Sequence, residues 1–177
     1  MRVHWYIALM FMLVTLVIVI ALFCFRSNAR KVPLNYILLS IFTICEAYIV
    51  AYISSASDPT TVLLAFCLTL AATIGLTIYA WTTKNDFTMC GGAVWSLAVL
   101  LLFFAIFCSF YYNHIINLII CLVCIAIYCI FIVYDTQLIA GGRYNQLSYD
   151  DYILGAMMLY IDVIGLFLYI LALLGKR

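Results

Sequence analysis

Charge is what this sequence lacks. Only 8% of its 177 residues are Asp, Glu, Lys or Arg, eight basic and seven acidic, for a formal net charge of +1. No basic stripe exists to track a phosphate backbone, so nucleic acid is excluded as a partner. Histidine is scarce: His4 and His114 are the only two, each near the end of an apolar run, where water is their expected partner. The eight cysteines therefore have few imidazole partners for a zinc site. Seven of them lie in or at the edge of apolar runs, whereas a disulfide framework sits in polar, loop-rich sequence. Cys121 and Cys124 form a C-x-x-C, but in an apolar stretch without His or acidic neighbours. They read as small hydrophobic side chains. Short alternating strands are missing too, which excludes a transmembrane β-barrel.

What is present is hydrocarbon. Hydrophobic residues make up 69% of the chain, against roughly 45–50% in soluble domains, and the mean hydropathy is +1.25. A soluble core of this length cannot hide that much apolar surface, so the expected fold class is an all-α polytopic membrane protein. Six continuous apolar runs are read as spans: 5–25, 34–54, 60–82, 93–112, 115–139 and 152–174. The first has no small-residue cleavage exit and reads as a true span rather than a signal peptide. Pro33 suits the first turn of the second span, and Asp58-Pro59 marks a turn before the third. Ser148 followed by Asp150 and Asp151 looks like a helix start, with acids in the first turn. No repeat, linker or low-complexity tract divides the chain, so 1–177 is expected to be one transmembrane domain.

Lys and Arg in the loops set the expected orientation. The first, third and fifth loops carry Arg26, Arg30, Lys31, Lys84 and Arg143, while the second and fourth carry none. Loops 26–33, 83–90 and 141–151 are therefore expected in the cytosol. Arg2, Lys176 and Arg177 at the ends oppose this assignment.

The last hairpin holds the candidate chemistry. Asp135 and Asp162 lie on successive spans, on either side of the loop 141–151. An acid in a membrane segment is costly and faces a bundle interior or a water-filled cavity. Counted from the loop, Asp135 is six residues in and Asp162 eleven, roughly 9 and 16 Å deep at ~1.5 Å per residue. A loop shift of a few residues brings them level. Two carboxylates close together in a low dielectric share a proton and titrate as a coupled pair. Such a pair is a proton-sensitive latch and, when open, a transient calcium ligand, since hard oxygen donors suit that ion. The plainer alternative is that each acid satisfies its own helix-end or hydroxyl partner.

Glu46, in the middle of the second span, is a third intramembrane acid. It is a candidate pore-lining residue, or else it bonds to a threonine of the neighbouring helix. Arg26, at the end of the first span, is a candidate latch cation for Asp135, or else an ordinary topology determinant. Asp86, Asp150 and Asp151 are expected to be solvated loop charges. The tyrosines and phenylalanines read as interfacial anchors near span ends and otherwise as packing and lipid contact.

Four stretches carry a family resemblance: VPLNYILLSIFTICEAYIV, LTIYAWTTKNDFT, IFIVYDTQLI and YDDYILGAMMLYIDVIGLFL. With them the chain resembles the transmembrane Bax inhibitor motif family, in its lifeguard and Golgi anti-apoptotic branch. The resemblance covers the second span to the C-terminus, and the last two stretches are the specific ones. It implies a seven-helix bundle with a central last helix, of which this chain carries six and lacks the first. It also implies an endomembrane calcium leak, in the Golgi or endoplasmic reticulum, gated by pH through an aspartate pair, with suppression of cell death. Asp135 and Asp162 fall on that pair, Arg26 falls near the family's latch arginine, and Glu46 matches an acid found in some members.

On this reading the chain is not an enzyme and needs no cofactor. Calcium is its permeant ion and the bilayer its surroundings. Cell-death regulators, calcium-release channels and further copies of the chain are candidate partners. One competing reading is a non-transporting adaptor that binds death-pathway or calcium-channel proteins, with structural aspartates. Another is an intramembrane aspartyl protease, for which Tyr134-Asp135 supplies half a signature. However, Leu159-Tyr160-Ile161 stands before Asp162 in place of G-x-G, and no P-A-L follows.

Overall fold

The computed structural model describes residues 5–110, 114–141 and 146–175, without the side chains of Trp5, Arg26, Asn28, Leu102, residues 104–110 and His114. It is helical throughout, with no strand among the described residues. In chain order the helices are α1 (Trp5–Cys24), the short α2 (Arg26–Ala29), α3 (Leu34–Ser54), α4 (Pro59–Thr82), α5 (Gly91–Phe110), α6 (His114–Ala140) and α7 (Tyr152–Leu174). Single 3₁₀ turns at Phe87–Cys90 and Tyr149–Asp151 lead into α5 and α7. Helix is the expected outcome for continuous apolar runs, because backbone groups in hydrocarbon must be satisfied within the segment.

All six expected spans appear as helices, their described ends within about two residues of the sequence reading, inside the usual boundary error. Among the described residues, α1, α3, α4, α6 and α7 are long and apolar enough to cross a membrane. Their starts and stops have local causes. Pro59 opens α4, where its missing N–H costs nothing. Asp86 caps the turn before α5, accepting from the Thr88 N–H at 2.9 Å and from the Thr88 hydroxyl at 2.5 Å. It is a half-buried cap, not the solvated loop charge expected of it. Gly141 ends α6 with φ +94, a left-handed conformation suited to glycine at a helix C-terminus.

The chain divides into two compact units. The first comprises Met1–Asp58 and Ser148–Met158. There α1 packs along α3, with Leu22, Phe42, Cys45 and Ile49 buried and Phe11 edge-on to Tyr48 at 4.8 Å. The second comprises Pro59–Leu147 and Leu159–Arg177. In it α4 packs along α6, with Ala65, Ala80, Ile120, Cys124 and Ile132 buried. The burial pattern sorts the helices by role. Much of α1 and α4 is exposed apolar surface, as lipid-facing helices are, whereas no residue of α7 from Met157 to Leu174 is exposed. Along that stretch Met157, Asp162, Leu166 and Leu171 are buried and the rest are half-buried, so α7 presents one buried face.

Candidate functional site: a buried aspartate pair

In the second unit the carboxyls of Asp135 on α6 and Asp162 on α7 lie side by side within interaction distance. They are 7% and 5% exposed. The fold therefore brings together the two acids that the sequence placed on either side of one loop. Two further oxygens are buried without a hydrogen-bond partner: Asp162 Oδ2 and Thr136 Oγ1, the latter on the residue after Asp135. Buried acceptors without donors are unfavourable. A proton on the Asp162 carboxyl relieves such an acceptor, and apolar packing does not.

Gln137, two residues after Asp135, fastens the neighbouring loop. Its Nε2 donates to the Ala80 carbonyl at 3.2 Å and to the Asn85 carbonyl at 3.0 Å, and its Oε1 accepts from the Phe87 N–H at 2.8 Å. Ala80 belongs to the last turn of α4, whose carbonyls have no partner within the helix. One amide from α6 thus closes the end of α4 and pins the segment leading to α5. The sequence reading passed over Gln137. Its signal was a polar side chain within an apolar run, which has to find partners.

Glu46 is half-buried in the first unit with Thr15 of α1 beside it, and the Thr15 hydroxyl donates to the Met12 carbonyl at 3.0 Å. Arg26 opens α2, and its side chain lies outside the described residues, as do residues 142–145, Arg143 among them.

Asp151 corrects an expectation. It is 2% exposed, not solvated, because Arg30 grips it with two bonds: Nε to Oδ1 at 2.7 Å and NH2 to Oδ2 at 2.9 Å. The hydrogen bond first, and the charge second, raise the Arg30 pKa above the ordinary arginine value. Beside this pair, Asn35 Nδ2 donates to the Tyr152 hydroxyl at 3.2 Å, which donates to the Tyr36 hydroxyl at 3.2 Å. Together these bonds fix the start of α7 against the start of α3. Asp150, its neighbour, is exposed as expected.

Of the cysteines, Cys45, Cys121 and Cys124 are buried, Cys129 is half-buried, and Cys24, Cys67 and Cys90 lie on the surface, all with free thiols.

A helical chain with five apolar helices of membrane-crossing length is a multi-pass integral membrane protein. The family model described as "Inhibitor of apoptosis-promoting Bax1" matches residues 1–177, and the chain belongs to that family. The family is named for inhibition of apoptosis and not for a catalysed reaction. Relatives include Protein lifeguard 3 of Mus musculus, 33% identical over 171 residues, which are 93% of this chain and 54% of that protein. Protein lifeguard 3 of Homo sapiens is 34% identical over 161 residues, 87% of this chain and 51% of its own length. The Golgi anti-apoptotic protein of Vaccinia virus (strain Lister) is 33% identical over 153 residues, 86% of this chain and 63% of its own. The chain spans about half the length of the two lifeguard proteins. The Golgi relative and the apolar helices place the chain among endomembrane proteins.

Proposed function

We propose that the chain forms a calcium-permeable leak channel or exchanger of endomembranes, gated by pH through Asp135 and Asp162, and that it thereby regulates calcium stores and suppresses apoptosis. The observation that carries this reading is the juxtaposition of two buried carboxyls on neighbouring helices. One proton between them joins α6 to α7. Its loss leaves two like charges in contact in a low dielectric, which drives the helices apart. The parted carboxylates are hard oxygen donors for a passing cation. Calcium takes roughly 6–8 oxygens, and two carboxylates offer fewer, so the ion keeps much of its water. The pair is a transit site and not a resident metal centre.

Glu46 is the candidate acid elsewhere along the path and Arg26 the candidate cation of the closed state. Loops 26–33, 83–90 and 141–151 face the cytosol on this reading. Cell-death regulators, calcium-release channels and further copies of the chain are its proposed partners.

The test is calcium flux into liposomes holding the purified chain, measured from about pH 5 to 8, a range that brackets physiological values. Flux that rises with pH supports the reading. Absence of flux at every pH rejects it and favours a second one, a non-transporting adaptor acting on death-pathway or calcium-channel proteins. That second reading draws on the relatives' names, which speak of apoptosis and not of transport.

A further inference from the structure

Below the aspartates, α6 and α7 meet at a second rung. The rings of Tyr128 on α6 and Tyr169 on α7 stack with centroids 5.7 Å apart at 35°. Tyr128 precedes Asp135 by seven residues (135 − 128), and Tyr169 follows Asp162 by seven (169 − 162). Seven residues are nearly two helical turns, so each tyrosine lies on the same face as its aspartate, roughly 10 Å further along the axis. The paired order also fixes α6 and α7 as antiparallel here. Numbers fall from Asp135 to Tyr128 on one helix while they rise from Asp162 to Tyr169 on the other.

Gly165 makes this close approach feasible. It lies one turn from Asp162, between the two rungs, and a Cβ placed there would collide with the Tyr128 ring and hydroxyl. Phe131 meets the other side of Tyr128 edge-on at 6.0 Å. The ring is therefore held in a slot formed by a missing side chain on α7 and an aromatic edge on α6. Tyr128 and Tyr169 are both half-buried.

We infer that Tyr128 and Tyr169 form an aromatic gate that closes the same path on the far side of the aspartate pair, with Gly165 as the recess that lets Tyr128 lie across it. The inference rests on the reading of Asp135 and Asp162 as the ion site. It assigns the tyrosines a separate task, which is to keep water and hydrated ions from reaching the carboxyls. Two tilted, packed rings bring no charge to an ion that would have to leave its water. Passage requires Tyr128 to swing off Gly165. The ring does the blocking, so phenylalanine serves as well as tyrosine.

The test reads shielding of the carboxyls directly. The purified chain in detergent is treated with a water-soluble carbodiimide and an added amine, and labelling of Asp135 and Asp162 is quantified by peptide mass spectrometry. Tyr128→Ala and Tyr169→Ala are expected to raise labelling about tenfold, the change produced by a barrier roughly 1.4 kcal/mol lower. Gly165→Ala, which displaces the ring without removing it, is expected to raise labelling as well. Tyr128→Phe is expected to match wild type. Ile130→Ala, on an exposed position of α6 between the rungs, controls for general loosening. Unchanged labelling in both tyrosine-to-alanine variants overturns the gate, as does an equal rise in Ile130→Ala or in Tyr128→Phe. If the expected pattern appears while wild type and all variants carry no calcium in liposomes, the gate stands and the calcium reading fails.

Discussion

Arg30 holds both oxygens of Asp151 across 121 residues of sequence, at 2.7 and 2.9 Å. The partners differ in their surroundings: the Arg30 side chain is 43% exposed and that of Asp151 only 2%. Fork-to-fork pairing of this kind is geometrically specific and stronger than a neutral hydrogen bond. It secures the start of α7 to the segment between α1 and α3.

Loss of Arg30 is therefore expected to be worse than loss of the pair. Arg30→Ala strands a buried carboxylate, whereas Arg30→Ala combined with Asp151→Asn leaves a neutral amide that the Ser148 turn can accommodate. Thermal unfolding in detergent should show the double variant more stable than Arg30→Ala alone. A double variant that loses the sum of the two singles would reject the pairing as an energetic unit. Because the Arg30 pKa is raised in the folded state, its contribution is fully present below the ordinary arginine value and fades only as pH climbs past the raised one. Salt, not alkali, is the practical probe of the exposed end of this pair.

Gln137 offers a second stability test with a local readout. Gln137→Ala leaves the Phe87 N–H and two carbonyls without their amide partner. One buried donor left unpaired costs about 1–3 kcal/mol, and each kcal/mol lowers the melting temperature of a chain this size by roughly 2–4 °C. A fall of several degrees is expected, with faster amide exchange at Phe87. Gln137→Glu should be no better, since it keeps the acceptor but turns a carboxylate toward two carbonyls. Unchanged exchange at Phe87 would show that the amide does not fasten the loop.

What the sequence made legible was whatever hydrophobicity dictates. Long apolar runs located the helices within about two residues, and two acids on either side of one loop pointed to a meeting that the fold delivers. Where it misled, the difference was one of context. Asp150 and Asp151 are identical in kind and adjacent, yet the 3₁₀ turn points only Asp151 inward to Arg30. Arg30 itself is one of several loop cations with no local mark. The tyrosine rung was present as a matched seven-residue spacing, but it was hidden among fourteen tyrosines. Only the contact between α6 and α7 shows which two share a face.

The orientation proposed from the loop charges is open to direct mapping. A flexible insert carrying an N-glycosylation acceptor is placed after Ser57, in the loop without Lys or Arg, or after Lys84, in the loop that holds one. The Lys84 insert is expected to remain unmodified and the Ser57 insert to be glycosylated, since basic loops stay in the cytosol. The reverse pattern would turn the aspartate hairpin toward the lumen and invert the pH side to which the latch responds.

The aspartate pair makes the sharpest claim, because its two members should behave as one. On the proposed reading, a proton shared by Asp135 and Asp162 at low pH holds α6 to α7, and low flux is expected. As pH rises the proton should be lost and the carboxylates repel, with flux expected to climb by up to about tenfold per pH unit, the limit for release of a single proton. Asp135→Asn or Asp162→Asn keeps a hydrogen-bonding group but removes the second ionisation, so either variant should flatten the pH response. Two groups in direct contact are not additive, and the double Asn variant should therefore change little beyond either single. The measurement is calcium flux into liposomes across about pH 5 to 8 for the wild type, both singles and the double. Singles that retain the wild-type pH dependence, or a double variant whose loss is the sum of the singles, would mean that the carboxyls hold the helices together but do not gate an ion. In that case the Asp135–Asp162 contact is a structural staple of α7, and the adaptor reading takes the place of the channel.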